Sequence, residues 1–257
     1  MRDLGDGFAM FDGAVNVLDY VMEDYLVLAN YVKSFPVDET TGLPTIAEDS
    51  IYGQTYGEGR IKMVNPLAGF TDAELGRYYT EAMAYMVSNE YIKGMTETTM
   101  EPNGTLTRGQ LVAILYRIAG ESSVEGLENP FTDVEEGKFY TNAVLWAYNN
   151  GEGIIKGVTE TTFEPDAKIT REQLATILYR CDYEPEVTGD LSAFADGDRV
   201  SNYAKNAVLW ATQQGLIKGI EKGEDLLIAP RPVDENDTNG NATRGQTATI
   251  LYRYLEN

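Results

Sequence analysis

The sequence predicts a mainly α fold: three helix-loop-helix repeats behind a small α+β N-terminal segment. Three observations predict it. A set of signature residues recurs three times along the chain. Each recurrence contains two stretches with apolar residues at helical spacing. Residues 1–66 share none of that signature and carry helix and strand patterns of their own. The expected divisions are 1–66 for the N-terminal piece, then repeats at 67–124, 128–187 and 191–257.

In the N-terminal piece, Leu4–Phe11 reads as a Gly-rich turn and Asp24–Lys33 as an amphipathic helix. A loop rich in Pro, Gly and Thr follows, then a short strand at Gly59–Val64. One helix and one or two strands bury too little surface for an independent core, so this segment reads as part of a larger domain.

Each repeat opens with Phe-x-Asp, at Phe70-Thr71-Asp72, Phe131-Thr132-Asp133 and Phe194-Ala195-Asp196. A tyrosine follows nine residues after each phenylalanine, at Tyr79, Tyr140 and Tyr203. The first helix comes next, with Ala143, Trp146 and Ala147 on one face, matched by Ala207, Trp210 and Ala211 and by Ala82 and Tyr85. Gly153 and Gly215 suit left-handed C-terminal caps, where the first repeat has Glu90. Ile-Lys-Gly follows at 92–94, 155–157 and 217–219. The second helix starts at Thr-Arg-x-Gln, with Thr107, Thr170 and Thr243 leading, and runs into Ile-Leu-Tyr-Arg at 114–117, 177–180 and 250–253. Its apolar stripe is Leu111, Ile114, Leu115 and Ile118; Cys181 takes the place of Ile118 in the second copy and reads as a small core residue. The third repeat carries eleven extra residues between Ile217 and Thr243. A two-helix unit this small cannot bury its own stripe, so the repeats are expected to pack together.

The composition excludes several function classes. With 20 Lys and Arg against 41 Asp and Glu, the chain is at −21, opposite to what phosphate-tracking nucleic-acid binding needs. It has no histidine, so Ser-His-Asp and Cys-His catalysis and His-ligated metals are excluded. No apolar run approaches a membrane span. No cofactor and no metal site is expected; Glu235–Gln246 has a glycine at the sixth place of a calcium loop but a glutamine at the twelfth, and reads as a polar loop. The start of the chain lacks a secretory signal, which is expected to lie upstream of this fragment.

The Thr-x-x-Gln spacing at Thr107, Thr170 and Thr243 predicts capping boxes. The arginine between them is different. Arg108, Arg171 and Arg244 place a cation at the positive end of a helix dipole, so each asks for a compensating anion, an internal carboxylate or a bound ligand. A helix N-terminus plus a guanidinium fork suits a carboxylate. Asp72, Asp133 and Asp196 read as helix caps or acceptors of sugar hydroxyls. Lys93, Lys156 and Lys218 read as loop lysines with a supporting electrostatic role.

The Phe-x-Asp opening, the Ala-x-x-Trp helix, Ile-Lys-Gly and Thr-Arg-x-Gln, in triplicate over residues 67–257, resemble tandem S-layer homology domains. That resemblance implies a pseudo-threefold, three-pronged spindle that binds pyruvylated secondary cell-wall polysaccharide non-covalently in grooves between prongs. It makes the three arginines, the three aspartates and the three lysines the glycan-binding candidates, and implies an extracellular, wall-bound location with no catalytic residue. The family's usual Thr-Arg-Ala-Glu is altered here, with Gly109, Glu172 or Gly245 in third place and glutamine last. Separately, Gly5-Asp6-Gly7-Phe8-x-Met10-Phe11, Val32-Lys33 and Glu58-Gly59-Arg60-Ile61 resemble the C-terminal end of the substrate-binding domain of the 5′-nucleotidase family, with Asp6 at a nucleoside-contacting position. Two alternatives stay open: a self-associating surface-lattice protein without glycan binding, and nucleotide hydrolysis assigned through a parent enzyme.

Overall fold

The structure, a computed structural model, describes residues 2–5, 8–10, 53–56, 60–63, 66–74, 76–150, 153–234, 237 and 240–256. The chain forms two compact units, Met1–Pro102 and Asn103–Asn257. The division falls inside the first repeat, between its loop and its second helix.

In the first unit, β1 (Arg2–Gly5), β2 (Phe8–Met10), β3 (Gly53–Tyr56) and β4 (Arg60–Met63) form an antiparallel sheet in the order β1-β2-β4-β3. The strand expected at Gly59–Val64 is β4. Of the segment read as a Gly-rich turn, residues 4–5 lie in β1 and 8–10 in β2, which pair antiparallel with the register shifted between Asp3 and Gly5, and residues 6, 7 and 11 lie outside the described residues. Part of the expected loop is β3. Glycine content lowers strand propensity, but backbone pairing on both sides of β4 overrides it. The helix expected at Asp24–Lys33 lies outside the described residues. Helix α1 (Thr80–Ser88) buries Ala82, Met83, Ala84 and Met86. Its start is fixed by Thr80, whose Oγ1 accepts from the Arg77 N–H and donates to the Glu74 carbonyl. The C-terminal position read from Glu90 is left-handed, φ 58°, as are Gly153 at 74° and Gly215 at 69°.

The second unit holds α2 (Arg108–Ile118), α3 (Thr141–Asn149), α4 (Arg171–Cys181), α5 (Lys205–Gln213) and α6 (Arg244–Glu256). Helix α2 packs on α3 and α4 on α5, so the second helix of one repeat buries its stripe on the first helix of the next. Leu111, Leu174, Leu178, Val144, Val208 and Ala211 are all inside. The inserted stretch of the third repeat includes a hairpin, β5 (Ile220–Lys222) with β6 (Asp225–Leu227). The glycine of Ile-Lys-Gly has a packing reason: a Cβ on Gly157 would lie 2.1 Å from the Thr159 carbonyl oxygen and 2.6 Å from the Phe131 ring.

The segments that precede the three second helices meet one another. The Leu106 N–H donates to the Ala242 carbonyl, Ala242 to Ile169, and Ile169 back to Leu106, at 2.9–3.0 Å. All three residues are fully buried. This closed cycle of backbone hydrogen bonds brings the N-termini of α2, α4 and α6 to one place.

Candidate functional site

The second helices start as their sequence predicts. Thr107 Oγ1 accepts from the Gln110 N–H at 3.2 Å, and Gln110 Oε1 accepts from the Thr107 N–H at 3.0 Å. Thr170 with Gln173 and Thr243 with Gln246 repeat the pattern.

The free N–H groups of those helix ends are consumed within the chain. In α2 the Arg108 and Gly109 N–H groups donate to the Ala167 and Pro165 carbonyls; in α4 those of Arg171 and Glu172 donate to Gly240 and Pro230. With the cap on the next amide, the first turns of α2 and α4 are saturated. A carboxylate bound on the ends of α2 and α4, as the spacing suggested, therefore has no amide to bind. The neighbouring repeat has taken them.

The arginines are buried rather than presented: Arg108 is 8% exposed, Arg171 and Arg244 4%. Arg108 Nε donates to the Phe163 carbonyl at 2.8 Å, Nη2 donates to the Lys156 carbonyl at 3.3 Å, and the guanidinium lies 4.7 Å from the centre of the Phe163 ring. Arg171 Nε donates to the Ile228 carbonyl at 2.8 Å. The compensation expected from an anion comes, at Arg108, from carbonyl dipoles and a ring face of the next repeat. Burial lowers the Arg108 pKa, while the charges of Glu164, Tyr203 and Asp133 oppose that shift.

The opening aspartates do not cap the first helices, which begin eight residues later in repeats 1 and 2. Asp196 precedes a 3-10 turn but makes no cap bond to it. Instead both oxygens of each carboxylate accept successive backbone N–H groups of the loop before the second helix. Asp72 takes Met100 and Glu101, Asp133 takes Phe163 and Glu164, and Asp196 takes Ile228 and Ala229, all at 2.7–2.8 Å. Glu101, Glu164 and Ala229 have φ of 52°, 57° and 49°, which turns two adjacent amides toward one anion. Phe163 and Ile228 are thus held at both ends, N–H by an aspartate of their own repeat and carbonyl by an arginine of the preceding one. Lys93, Lys156 and Lys218 are exposed, in agreement with their reading as loop lysines. Asp6 lies outside the described residues. Trp210 is 3% exposed between Tyr179 and Tyr254, and Trp146 lies 5.6 Å from Tyr116, so neither is an open platform for a sugar.

Two features escaped the sequence reading. The first is Glu172, 2% exposed, which accepts from the Ser201 N–H at 2.9 Å and the Ser201 hydroxyl at 2.8 Å and pairs with Arg231 at 3.4 Å. The equivalent Gly109 packs against Tyr140, where a Cβ would approach the ring to 3.0 Å. In the third repeat the buried Ala204 precedes the first helix where Tyr140 does in the second, so a smaller side chain leaves room for the glutamate; Tyr203 matches Phe139, and the two are 59% and 62% exposed. The signal was present in sequence, because Glu172 for Gly109 and Arg231 for Asp166 depart from the repeat together. The second is a groove of about 500 Å³ beside α2 and the loop entering α3, lined by Tyr116, Arg117, Lys138, Phe139 and Asn142, with Phe139 62% exposed. Among the described residues no cluster of Cys, Asp and Glu could hold a metal, and no helix is long and apolar enough to cross a membrane.

Comparison with known proteins gives this arrangement its family. Sequences described as "S-layer homology domain" match at residues 69–112, 130–175 and 193–224, the last match stopping at the third-repeat hairpin. The chain is 32% identical over 181 residues to an amylopullulanase of Thermoanaerobacterium thermosulfurigenes, covering 68% of this chain and 9% of that protein. It is 32% identical over 230 residues to the exoglucanase XynX of Acetivibrio thermocellus, covering 84% and 20%. It is 32% identical over 184 residues to the surface-layer 125 kDa protein of Lysinibacillus sphaericus, covering 72% and 14%. The chain thus spans a fifth or less of the length of these relatives, which include enzymes and a surface-layer protein. On the triplicate signature, the helix pairs and these matches, the chain carries three S-layer homology domains.

Proposed function

We propose that this chain is a non-catalytic anchor that holds its parent protein to the cell surface by binding pyruvylated secondary cell-wall polysaccharide. The S-layer homology domains support surface anchoring itself. The observation that favours a glycan is the groove at α2 and α3: an exposed Phe139 face, the Asn142 amide, and Arg117 and Lys138 with their ion-pair partners Glu121 and Glu135 suit a pyranose ring, with an apolar face for the aromatic and hydroxyls for the polar groups. Arg108, Arg171 and Arg244 act in this reading chiefly by fixing the grooves between repeats in a three-pronged spindle, and Asp72, Asp133 and Asp196 by holding the loops that carry those grooves. Lys93, Lys156 and Lys218 supply positive potential in a chain that is otherwise strongly acidic. The parent in this reading is a surface 5′-nucleotidase, whose catalytic domain lies outside this chain and which carries a signal peptide.

Calorimetry with purified wall polysaccharide, with and without its pyruvyl ketal, tests the function. Binding that depends on the ketal and falls at least about tenfold in Phe139→Ala is the expected result. Absence of binding to either polymer refutes glycan anchoring and leaves self-association. Arg108→Ala is expected to weaken binding and stability together, because it strands the Phe163 and Lys156 carbonyls. An in-frame metallophosphatase upstream of Met1 is the observation that tests the parent.

A further inference from the structure

The first amide of each second helix is answered by one carbonyl of another repeat. Arg108 N–H donates to Ala167, Arg171 N–H to Gly240 and Arg244 N–H to Gly104, at 2.9–3.0 Å. The accepting residues are equivalent, standing three places before Thr170, Thr243 and Thr107, and each follows an Asn or Asp. The pairs are Asn103-Gly104, Asp166-Ala167 and Asn239-Gly240, and Asn239 lies outside the described residues. Asn103 is exposed in a turn, and its side-chain amide has no hydrogen-bond partner among the described residues. The Gly104 N–H is equally unengaged among them. The antiparallel bridge of Thr105 with Thr243 uses the Gly104 carbonyl and the Leu106 N–H, and leaves the Gly104 nitrogen outside. Glycine has no Cβ to hinder approach to that nitrogen. Asp196-Gly197 is the opposite case: Asp196 is 6% exposed, and both carboxylate oxygens are tied to the Ile228 and Ala229 amides.

We propose that Asn103 deamidates spontaneously in the folded chain, and that its isoaspartyl product loosens the seat of α6 on Gly104. The inference holds whatever the anchor binds. The Gly104 nitrogen, giving its proton to hydroxide, bonds to the side-chain carbonyl carbon of Asn103; the bond from that carbon to the amide nitrogen breaks, and ammonia leaves. The five-membered succinimide then takes up one water. Attack at the side-chain carbonyl returns the ordinary backbone with aspartate at 103. Attack at the main-chain carbonyl leaves isoaspartate, with the chain running on through the former side chain. Either product adds one negative charge, and no oxidant or reductant is consumed. The two products differ in what they do to the fold. Aspartate is what the second repeat carries at Asp166, before a carbonyl that holds Arg108 as Gly104 holds Arg244, so it fits. Isoaspartate inserts a methylene into the main chain immediately before Gly104. The carbonyl that answers α6 is then fixed from one side only.

The test incubates the full chain in mildly alkaline buffer and samples it over time. Trypsin, cutting after Lys93 and Arg108, releases residues 94–108, in which Asn103 is the sole Asn or Gln. The same peptide made synthetically, incubated alongside, serves as the clock. Asn103 in the folded chain is expected to convert at no less than about one-tenth of the peptide's rate, since its turn has few bonds to break first. Chromatography separates the aspartyl and isoaspartyl peptides, and backbone fragmentation tells them apart. Gly104→Ala, the side chain that Ala167 carries at the equivalent place, is expected to slow conversion at least about tenfold by hindering the attacking nitrogen. Should that variant melt early, Asn103→Gln, which must close a larger ring, is expected to give the same block. A chain still free of isoaspartate when the peptide is half converted would overturn the proposal. So would an unslowed rate in the blocked variant, because hydrolysis would then bypass Gly104. Hydrogen exchange reads the consequence: in the aged parent the Arg244 amide should show a faster-exchanging fraction matching the isoaspartate content, missing from the equally aged blocked variant. Uniform exchange at Arg244 in both would refute the loosening of α6.

Discussion

Replacing Glu172 by alanine removes the centre of the polar cluster where the second repeat meets the third. Its carboxylate, on a side chain 3% exposed, accepts two short bonds from Ser201 and pairs with Arg231. Hydrogen bonds to a charged acceptor contribute about 1.5–3 kcal/mol each, and here there are two. The Arg231 pair adds less than about 1 kcal/mol, because that guanidinium is 43% exposed and well screened. Relief of the carboxylate's own desolvation offsets part of the loss. The net expectation is about 2–4 kcal/mol of destabilisation. At about 2–4 °C per kcal/mol for a body of this size, the thermal midpoint should fall by roughly 5–15 °C. Tryptophan fluorescence follows the transition well, since Trp146 and Trp210 lie on α3 and α5. Arg231→Met should cost no more than about 1 kcal/mol, and a double-mutant cycle should return a coupling of that size. A midpoint for Glu172→Ala within about 2 °C of the parent would refute the account, since it would mean that the buried carboxylate bonds contribute nothing net.

Asp133→Asn should cost about 1.5–3 kcal/mol in urea unfolding, because an amide offers one acceptor to two N–H groups and turns a donor toward the other; a loss no larger than that of the exposed Glu160→Gln would contradict the clamp. The Tyr203 phenol is pushed up to about 12 by desolvation at its hydroxyl end and by the Glu172 carboxylate, although the residue as a whole is 59% exposed, and Tyr254 likewise to about 12 by burial and neighbouring negative charge. Their folded pKa values exceed the unfolded value near 10, so the stability they contribute is complete below about pH 10 and is lost as pH rises toward 12. Ultraviolet tyrosinate titration of Tyr203→Phe and Tyr254→Phe against the parent should each remove one late-titrating phenol. Burial also raises the Cys181 thiol to about 12, so it should resist alkylation in the folded chain near pH 8 and react once unfolded; rapid native labelling would contradict this.

Most of the repeat architecture was legible in the residues. Capping boxes at Thr107, Thr170 and Thr243 are local: donor, acceptor and spacing all lie within four residues, so the chain itself determines them. Helical stripes are equally local, which is why Leu111, Leu174 and Ala143 could be placed inside from periodicity alone. The strands at Arg2–Gly5, Phe8–Met10 and Gly53–Tyr56 were not legible, because pairing between distant segments decides them.

The sequence by itself determined which residues are chemically exceptional: the arginine at an unfavourable helix position, the aspartate after each opening phenylalanine, and the glutamate where two repeats have glycine. Only the tertiary structure decided what each one does. Arg108 and Arg171 answer carbonyls of the next repeat, and the aspartates answer amides about thirty residues away. The reason is physical. A charged side chain announces in sequence that it needs a partner, but a backbone carbonyl or amide is present at every residue and announces nothing. Which of them comes within 3 Å depends on how the repeats close on one another.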